Sequence, residues 1–150
     1  MVKMKTTRTL GPVLALVLLL PGGCMSHWLG DTGTAYDKDA GRAYPVEMAR
    51  EPSLMIQVLR DVTEIEMTNT TAHVFGASTI WLNSRYSHEI DGMGVGETIS
   101  LNLDAFTDEF GEHFRGGGFF AIVNPDPLVM AEIETDGKLY GLVVTGDLYE

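Results

Sequence analysis

Residues 64–103 read EIEMTNTT, AHVFGA, STIWLNSRYSHEI, DGMGVGET and ISLNL. Ile65 and Met67 alternate with Glu64, Glu66 and Thr68, and Ile99, Leu101 and Leu103 alternate with Ser100, Asn102 and Asp104. Ile80, Leu82, Tyr86 and Ile90 share one parity, with Ser84 and His88 between them. A period of two buries one face and wets the other, which is the pattern of a half-buried strand and not of a helix. The stretch therefore predicts three strands joined by turns, with Ser100 and Asn102 exposed. Gly92, Gly94 and Gly96 mark the segment 91–97 as a connection, because glycine tolerates backbone angles that break a strand.

The rest of the body extends the pattern. LMIQVL (54–59) predicts a strand ending at a turn on Arg60 and Asp61. LVMAEIE and KLYGLVV flank Thr135, Asp136 and Gly137, a strong hairpin signal. FFAIV (119–123) predicts a short apolar strand, and Asn124, Pro125, Asp126 and Pro127 a turn. Phe106, Phe110 and Phe114 are four apart, which predicts one buried face of a short helix capped by Asp104. Seven short strands with at most one helix predict a mainly β fold, a small antiparallel β-sandwich. A small open β-barrel is the alternative.

Composition narrows the function. The chain has 150 residues, enough for one domain. Its formal charge of −11 opposes phosphate backbones, so nucleic acid is a poor partner. A single cysteine excludes an intrachain disulfide. No nucleophile elbow, zinc-protease helix, phosphate loop or dinucleotide fingerprint occurs, and the reading is non-enzymatic, with no cofactor.

The first residues carry the sharpest signal. Lys3, Lys5 and Arg8 precede the apolar run 10–20, and Pro21, Gly22, Gly23 and Cys24 follow it. Basic, then apolar, then small is the order of an export signal. Small residues ending in cysteine make this segment resemble the signal of bacterial membrane lipoproteins, although Pro21 stands where that family usually has leucine. The resemblance implies cleavage before Cys24, lipidation of its thiol and acylation of its amino group. It also implies a lipid-anchored protein of the bacterial cell envelope, held to the membrane through Cys24. Met25, where aspartate would favour inner-membrane retention, points by the same resemblance to the outer membrane, facing the periplasm. Loss of residues 1–23 removes three positive charges and no negative one, taking the formal charge from −11 to −14. On charge alone such a body stands off from anionic headgroups.

The expected organisation is a signal peptide over 1–23, a lipid-anchored cysteine and flexible tether over 24–50, and a β-sandwich over 51–150. Trp28, Tyr36 and Tyr44 are unusual for a pure linker. Tyr44, Pro45 and Val46 would suit an arm laid on the domain. Asp31, Asp37 and Asp39 lack the spacing of a calcium loop.

The order of strand, Asn69-Thr70-Thr71, strand with Trp81-Leu82-Asn83, then Gly96-Glu97-Thr98 before another strand resembles immunoglobulin-like modules of bacterial surface proteins. That resemblance covers about forty residues and implies a binding or structural module with an envelope protein as partner. Two clusters are candidate sites. Trp81 shares its parity with Asn83 and Arg85, an aromatic beside an amide and a guanidinium, as on recognition surfaces. Core burial of Trp81 is the favoured reading, since so small a sandwich needs its aromatics inside. Asp108, Glu109, Glu112 and His113 form the densest titratable group. As metal ligands they would define the alternative function, a small metal-dependent enzyme or metal-binding protein. The favoured reading of that group is a wet helix face.

Overall fold

The computed structural model describes residues 40–146. The segment 1–23 read above as an export signal, Cys24, Trp28, Tyr36 and the aspartates at 31, 37 and 39 lie outside the described residues.

The strands are β1 (Arg50–Glu51), β2 (Gln57–Asp61), β3 (Glu64–Thr68), β4 (Ser78–Leu82), β5 (Tyr86–Ile90), β6 (Thr98–Asn102), β7 (Ala131–Thr135), β8 (Lys138–Gly141) and β9 (Val143–Thr145). They form a five-stranded sheet in the order β1-β8-β7-β4-β5 and a four-stranded sheet in the order β6-β3-β2-β9. The two face each other as a β-sandwich, and no barrel closes. Both sheets are mixed rather than antiparallel throughout, because β1 runs parallel to β8 and β2 parallel to β9.

The alternating residues fill the space between the sheets. Ile56, Val58, Ile65 and Met67 from one side meet Ile80, Leu82, Tyr86, Ile90, Ala131 and Ile133 from the other. Ile99, Leu101 and Val144 are half-buried at the margin, and Ser100 and Asn102 are exposed as their parity requires. Slipping any of these strands by one residue would exchange the buried and wet sets, so the pattern itself fixes the register.

Several local expectations are corrected. STIWLNSRYSHEI is a hairpin and not one strand. β4 and β5 pair with Leu82 opposite Tyr86 and Ile80 opposite His88, joined by Asn83, Ser84 and Arg85. Each pair sums to an even number, so parity survives the turn and imitates a continuous strand. The first turn falls on Val62 and Thr63, because β2 runs on to Asp61. KLYGLVV divides between the sheets at Leu142, whose N–H reaches the Ala131 carbonyl while the N–H of Val143 reaches Ile56.

The phenylalanine trio does not lie on a helix. A 3-10 turn spans Leu103–Ala105, with the side chain of Asn102, not Asp104, as its N-cap. Residues 106–114 then double back. Phe114 N–H bonds to Phe106 C=O at 2.9 Å, and Thr107 bridges His113. Phe106 and Phe114 thus sit opposite each other and are fully buried, whereas Phe110 is 75% exposed at the tip. A spacing of four on either side of a hairpin tip aligns two residues as well as a helix would, and tips point outward. FFAIV is likewise no strand. It belongs to an exposed loop, because nothing offers those residues a ladder.

Residues 40–50, assigned above to the tether, belong to the body. They lie along the outer face of the five-stranded sheet and end in β1, where Arg50 pairs with Leu139. The aromatic content of that stretch is the reason, since Tyr44 has an indole to cover.

Candidate functional site

Trp81, Asn83 and Arg85 follow one another on β4 and its connection, but the structure gives them three separate surroundings. Trp81 points away from the inter-sheet core and is nevertheless fully buried. Its Nε1 donates to Glu134 at 2.9 Å. Tyr44 meets its ring edge-on, and the Arg42 guanidinium lies 5.8 Å from its centroid. Arg42 also donates to Glu134 at 3.0 Å and to the Thr79 hydroxyl at 3.2 Å. The Tyr44 hydroxyl donates to Glu132 at 2.5 Å and accepts from Arg50 at 2.7 Å. Burial first, and then the bond to Glu132, push the Tyr44 phenol above its ordinary pKa. The arm and the sheet thus make a second, smaller core outside the first. Lys138 closes its far end on Glu51 at 2.7 Å.

Asn83 is a turn residue with a structural task. Its backbone is left-handed (φ 53°), which asparagine tolerates better than most residues. Its side chain donates to the Pro127 carbonyl at 2.7 Å and accepts from Val129 and Met130 at 3.0 and 3.2 Å. The amide therefore fastens the long connection before β7 to the β4–β5 turn.

Arg85 holds the hairpin 106–114. It donates twice to one oxygen of Asp108, at 2.9 and 2.7 Å, and once to Glu112. The other Asp108 oxygen accepts the N–H groups of Phe110 at 2.9 Å and Glu112 at 2.8 Å. Burial raises the Asp108 carboxyl, but Arg85 and these backbone donors outweigh it and keep the group below the usual carboxylate range.

The four acidic and histidine residues of this hairpin do not converge. Asp108 is buried under Arg85, whereas Glu109, Glu112 and His113 are exposed. The His113 Nδ1 sits 2.6 Å from the Asp104 carbonyl oxygen. Among the described residues no group of three or more histidine, cysteine or acidic side chains is placed to hold a metal ion. A cation at Asp108 would have to displace Arg85.

Two features had weaker sequence signals. Asn69, within a sequence of glycosylation-acceptor form, is fully buried. Its amide donates to the carbonyls of His73, Met93 and Gly94, and its oxygen accepts from the N–H and hydroxyl of Thr71. Its backbone bonds Glu97 and Gly96 as well, so one side chain stitches the connections 69–77 and 91–97 together. Arg60 takes a core position at the end of β2, 1% exposed. It donates to the carbonyls of Val62, Gly116 and Asp126 at 3.3, 2.9 and 2.7 Å, and lies 5.7 Å from the Phe114 centroid. A charge at an apolar-parity position was the available signal. Buried arginine requires fixed acceptors, and the loop after Phe114 supplies them.

The surface carries shallow hollows between the sheet edges and the loops. One of them, about 410 Å³, is lined by Arg42, Thr79, Glu89, Asp91, Glu134 and Asp136 among others. No histidine, cysteine or lysine is among its lining residues. Against protein-family profiles, curated proteins and solved structures, the chain gives no match.

Proposed function

We propose that the chain is a lipid-anchored cell-envelope protein whose β-sandwich is a non-catalytic binding or structural module. The observation that carries this reading is the order of residues 1–24: basic, apolar, small, cysteine. The arm supports it. A body held from its N-terminal side needs a firm attachment where the tether begins. Residues 40–51 provide one through Arg42–Glu134, Tyr44–Glu132, Arg50–Tyr44 and the parallel pairing of β1 with β8.

Envelope location follows from the anchor, with the outer membrane as its site and an envelope protein as partner. The thiol of Cys24 is the modified group. Several acyl chains on one residue give stable attachment, where a single chain gives only marginal binding.

The test is Cys24→Ser expressed beside the wild type in a lipoprotein-processing bacterium. The wild type should incorporate labelled fatty acid and lose residues 1–23. The variant should incorporate none and accumulate as precursor. Equal processing of both, with no label in the wild type, rejects the anchor.

A further inference from the structure

The loop after Phe114 is uncharged from Gly116 to Pro125 and reads GGGFFAIVNP. Phe119 is 94% exposed, Phe120 89% and Ile122 100%. Val123 is also exposed. Single apolar residues on a surface need no explanation, but a contiguous apolar tip of this kind marks an interaction site.

The tip stands on a fixed stem. Arg115 grips the Asp126 carboxylate through its backbone N–H and Nε, both at 3.0 Å, and through its terminal nitrogen at 2.5 Å. Asp126 N–H returns to the Arg115 carbonyl at 2.9 Å. Arg60 holds the carbonyls of Gly116 and Asp126 from within. Ala121 N–H bonds to Gly118 C=O at 3.0 Å, and the two phenylalanine rings meet edge-on at 5.0 Å. All charge in this region is therefore paired at the stem, and the tip is apolar only.

We infer that residues 117–124 form a bilayer-inserting tip that docks the sandwich onto the membrane to which Cys24 tethers it. The inference rests on the anchored reading above and adds a second membrane contact to it. Three observations select lipid over protein. Phe119, Phe120 and Ile122 stand almost wholly in solvent, whereas protein interfaces pair apolar anchors with polar groups that set the register; no side chain from 117 to 123 can do so. The tip's aromatic and aliphatic residues on a polar support suit the headgroup–acyl boundary. The arm enters the body at the hairpin that precedes the stem in sequence: Gly41 N–H bonds to Asp108 C=O at 2.7 Å. From Cys24 to Ala40 the chain can extend about 50 Å, so the anchor and the tip can reach one bilayer together. The formal charge of −14 left after loss of residues 1–23 favours zwitterionic over anionic lipid.

The experiment uses the full acylated chain carrying Phe120→Trp and Trp28→Phe, in phosphatidylcholine vesicles with acyl chains brominated near the carbonyl. Buried Trp81 is the internal reference. Emission of the introduced indole should be quenched at least threefold more than in unbrominated vesicles, with Trp81 unaffected. In an unacylated chain of residues 25–150, which lacks the apolar run 10–20, the pair Phe119→Ser and Phe120→Ser should keep the thermal midpoint and lose at least tenfold in vesicle partitioning. No quenching in protein whose Cys24 is shown by mass to be acylated overturns the tip and leaves the anchor standing. Absent acylation with the indole still quenched sinks the anchor and supports the tip. An unquenched indole with a discrete protein adduct from a photocrosslinker at position 120 overturns the inference in favour of a protein partner.

Discussion

The ring of Tyr44 stands edge-on to the indole of Trp81, centroids 5.3 Å apart and planes at 87°. A residue of the N-terminal arm thereby seals the most deeply buried aromatic of the outer sheet face.

Tyr44→Ala should uncover that indole. Edge-to-face pairs contribute about 0.5–1.5 kcal/mol beyond their buried area. With the bond to Glu132 also gone, the loss should be about 1–3 kcal/mol. In a Trp28→Phe background, Trp81 emission should shift to the red and become accessible to acrylamide. An unmoved spectrum and unfolding midpoint would mean that the arm does not cover Trp81 in solution. Gly41→Ala should weaken the same attachment at its start, since a Cβ there would sit 2.3 Å from the Thr107 carbonyl oxygen.

Arg85→Ala leaves the buried Asp108 carboxylate with backbone donors alone. Arg85 is half exposed, so the full cost of breaking a buried pair does not apply, and about 1–3 kcal/mol is expected. The folded-state pKa of Asp108 lies below its ordinary value. Its stabilisation is therefore complete above the normal carboxylate range and disappears as pH falls through the lowered value. Urea unfolding at a series of acidic pH values should show a steep loss in the wild type and a shallower one in Asp108→Asn. Identical slopes would remove Asp108 from the acid response.

Asn69→Ala strips one buried amide from three carbonyl partners and from Thr71. Buried acceptors left unpaired cost about 1–3 kcal/mol each, offset where water enters. The midpoint of denaturation should fall strongly, and Asn69→Asp should fare no better, because a carboxylate cannot donate to those carbonyls. Wild-type stability in either variant would contradict the stitching role.

Zinc or manganese at saturating concentration should leave the thermal midpoint where it is. Arg85 and two backbone donors occupy both oxygens of Asp108, and ligands bound to the native state would raise the midpoint by mass action. A rise abolished by His113→Ala would restore the metal-binding reading of the hairpin.

The inter-sheet core was legible in the sequence. Ile65, Met67 and Leu103 alternate with polar neighbours, and alternation reports burial on one face directly. The hairpin at Thr135, Asp136 and Gly137 was equally plain, since Asp136 and Gly137 both take left-handed backbone (φ 50° and 72°). Periodicity failed where it has two structural solutions. The spacing of Phe106, Phe110 and Phe114 fits a helix or a hairpin tip, and only pairing with Ser87 and the grip of Arg85 on Asp108 decide between them. Hydrophobicity misled at residues 119–123, because an apolar run signals burial against something without saying that the partner lies in the same chain. The candidate surface of Trp81, Asn83 and Arg85 followed from parity. Parity could not show that residues 40–50 cover Trp81, because that cover comes from an arm with no periodicity of its own.

The parallel pairings of β1 with β8 and of β2 with β9 bear on the order of assembly. Gln57 pairs with Val143 and Arg50 with Leu139. Contacts so far apart in sequence carry a large entropic penalty and form late. In a chain that emerges N-terminus first, the β2–β3 and β4–β5 hairpins can close early. The arm's bonds to Glu132 and Glu134 and its pairing with Leu139 must wait for the last strands, which emerge nearly a hundred residues behind it. Until then the arm is only partly bound to the body. Its docking onto Trp81 is then the closing event of folding.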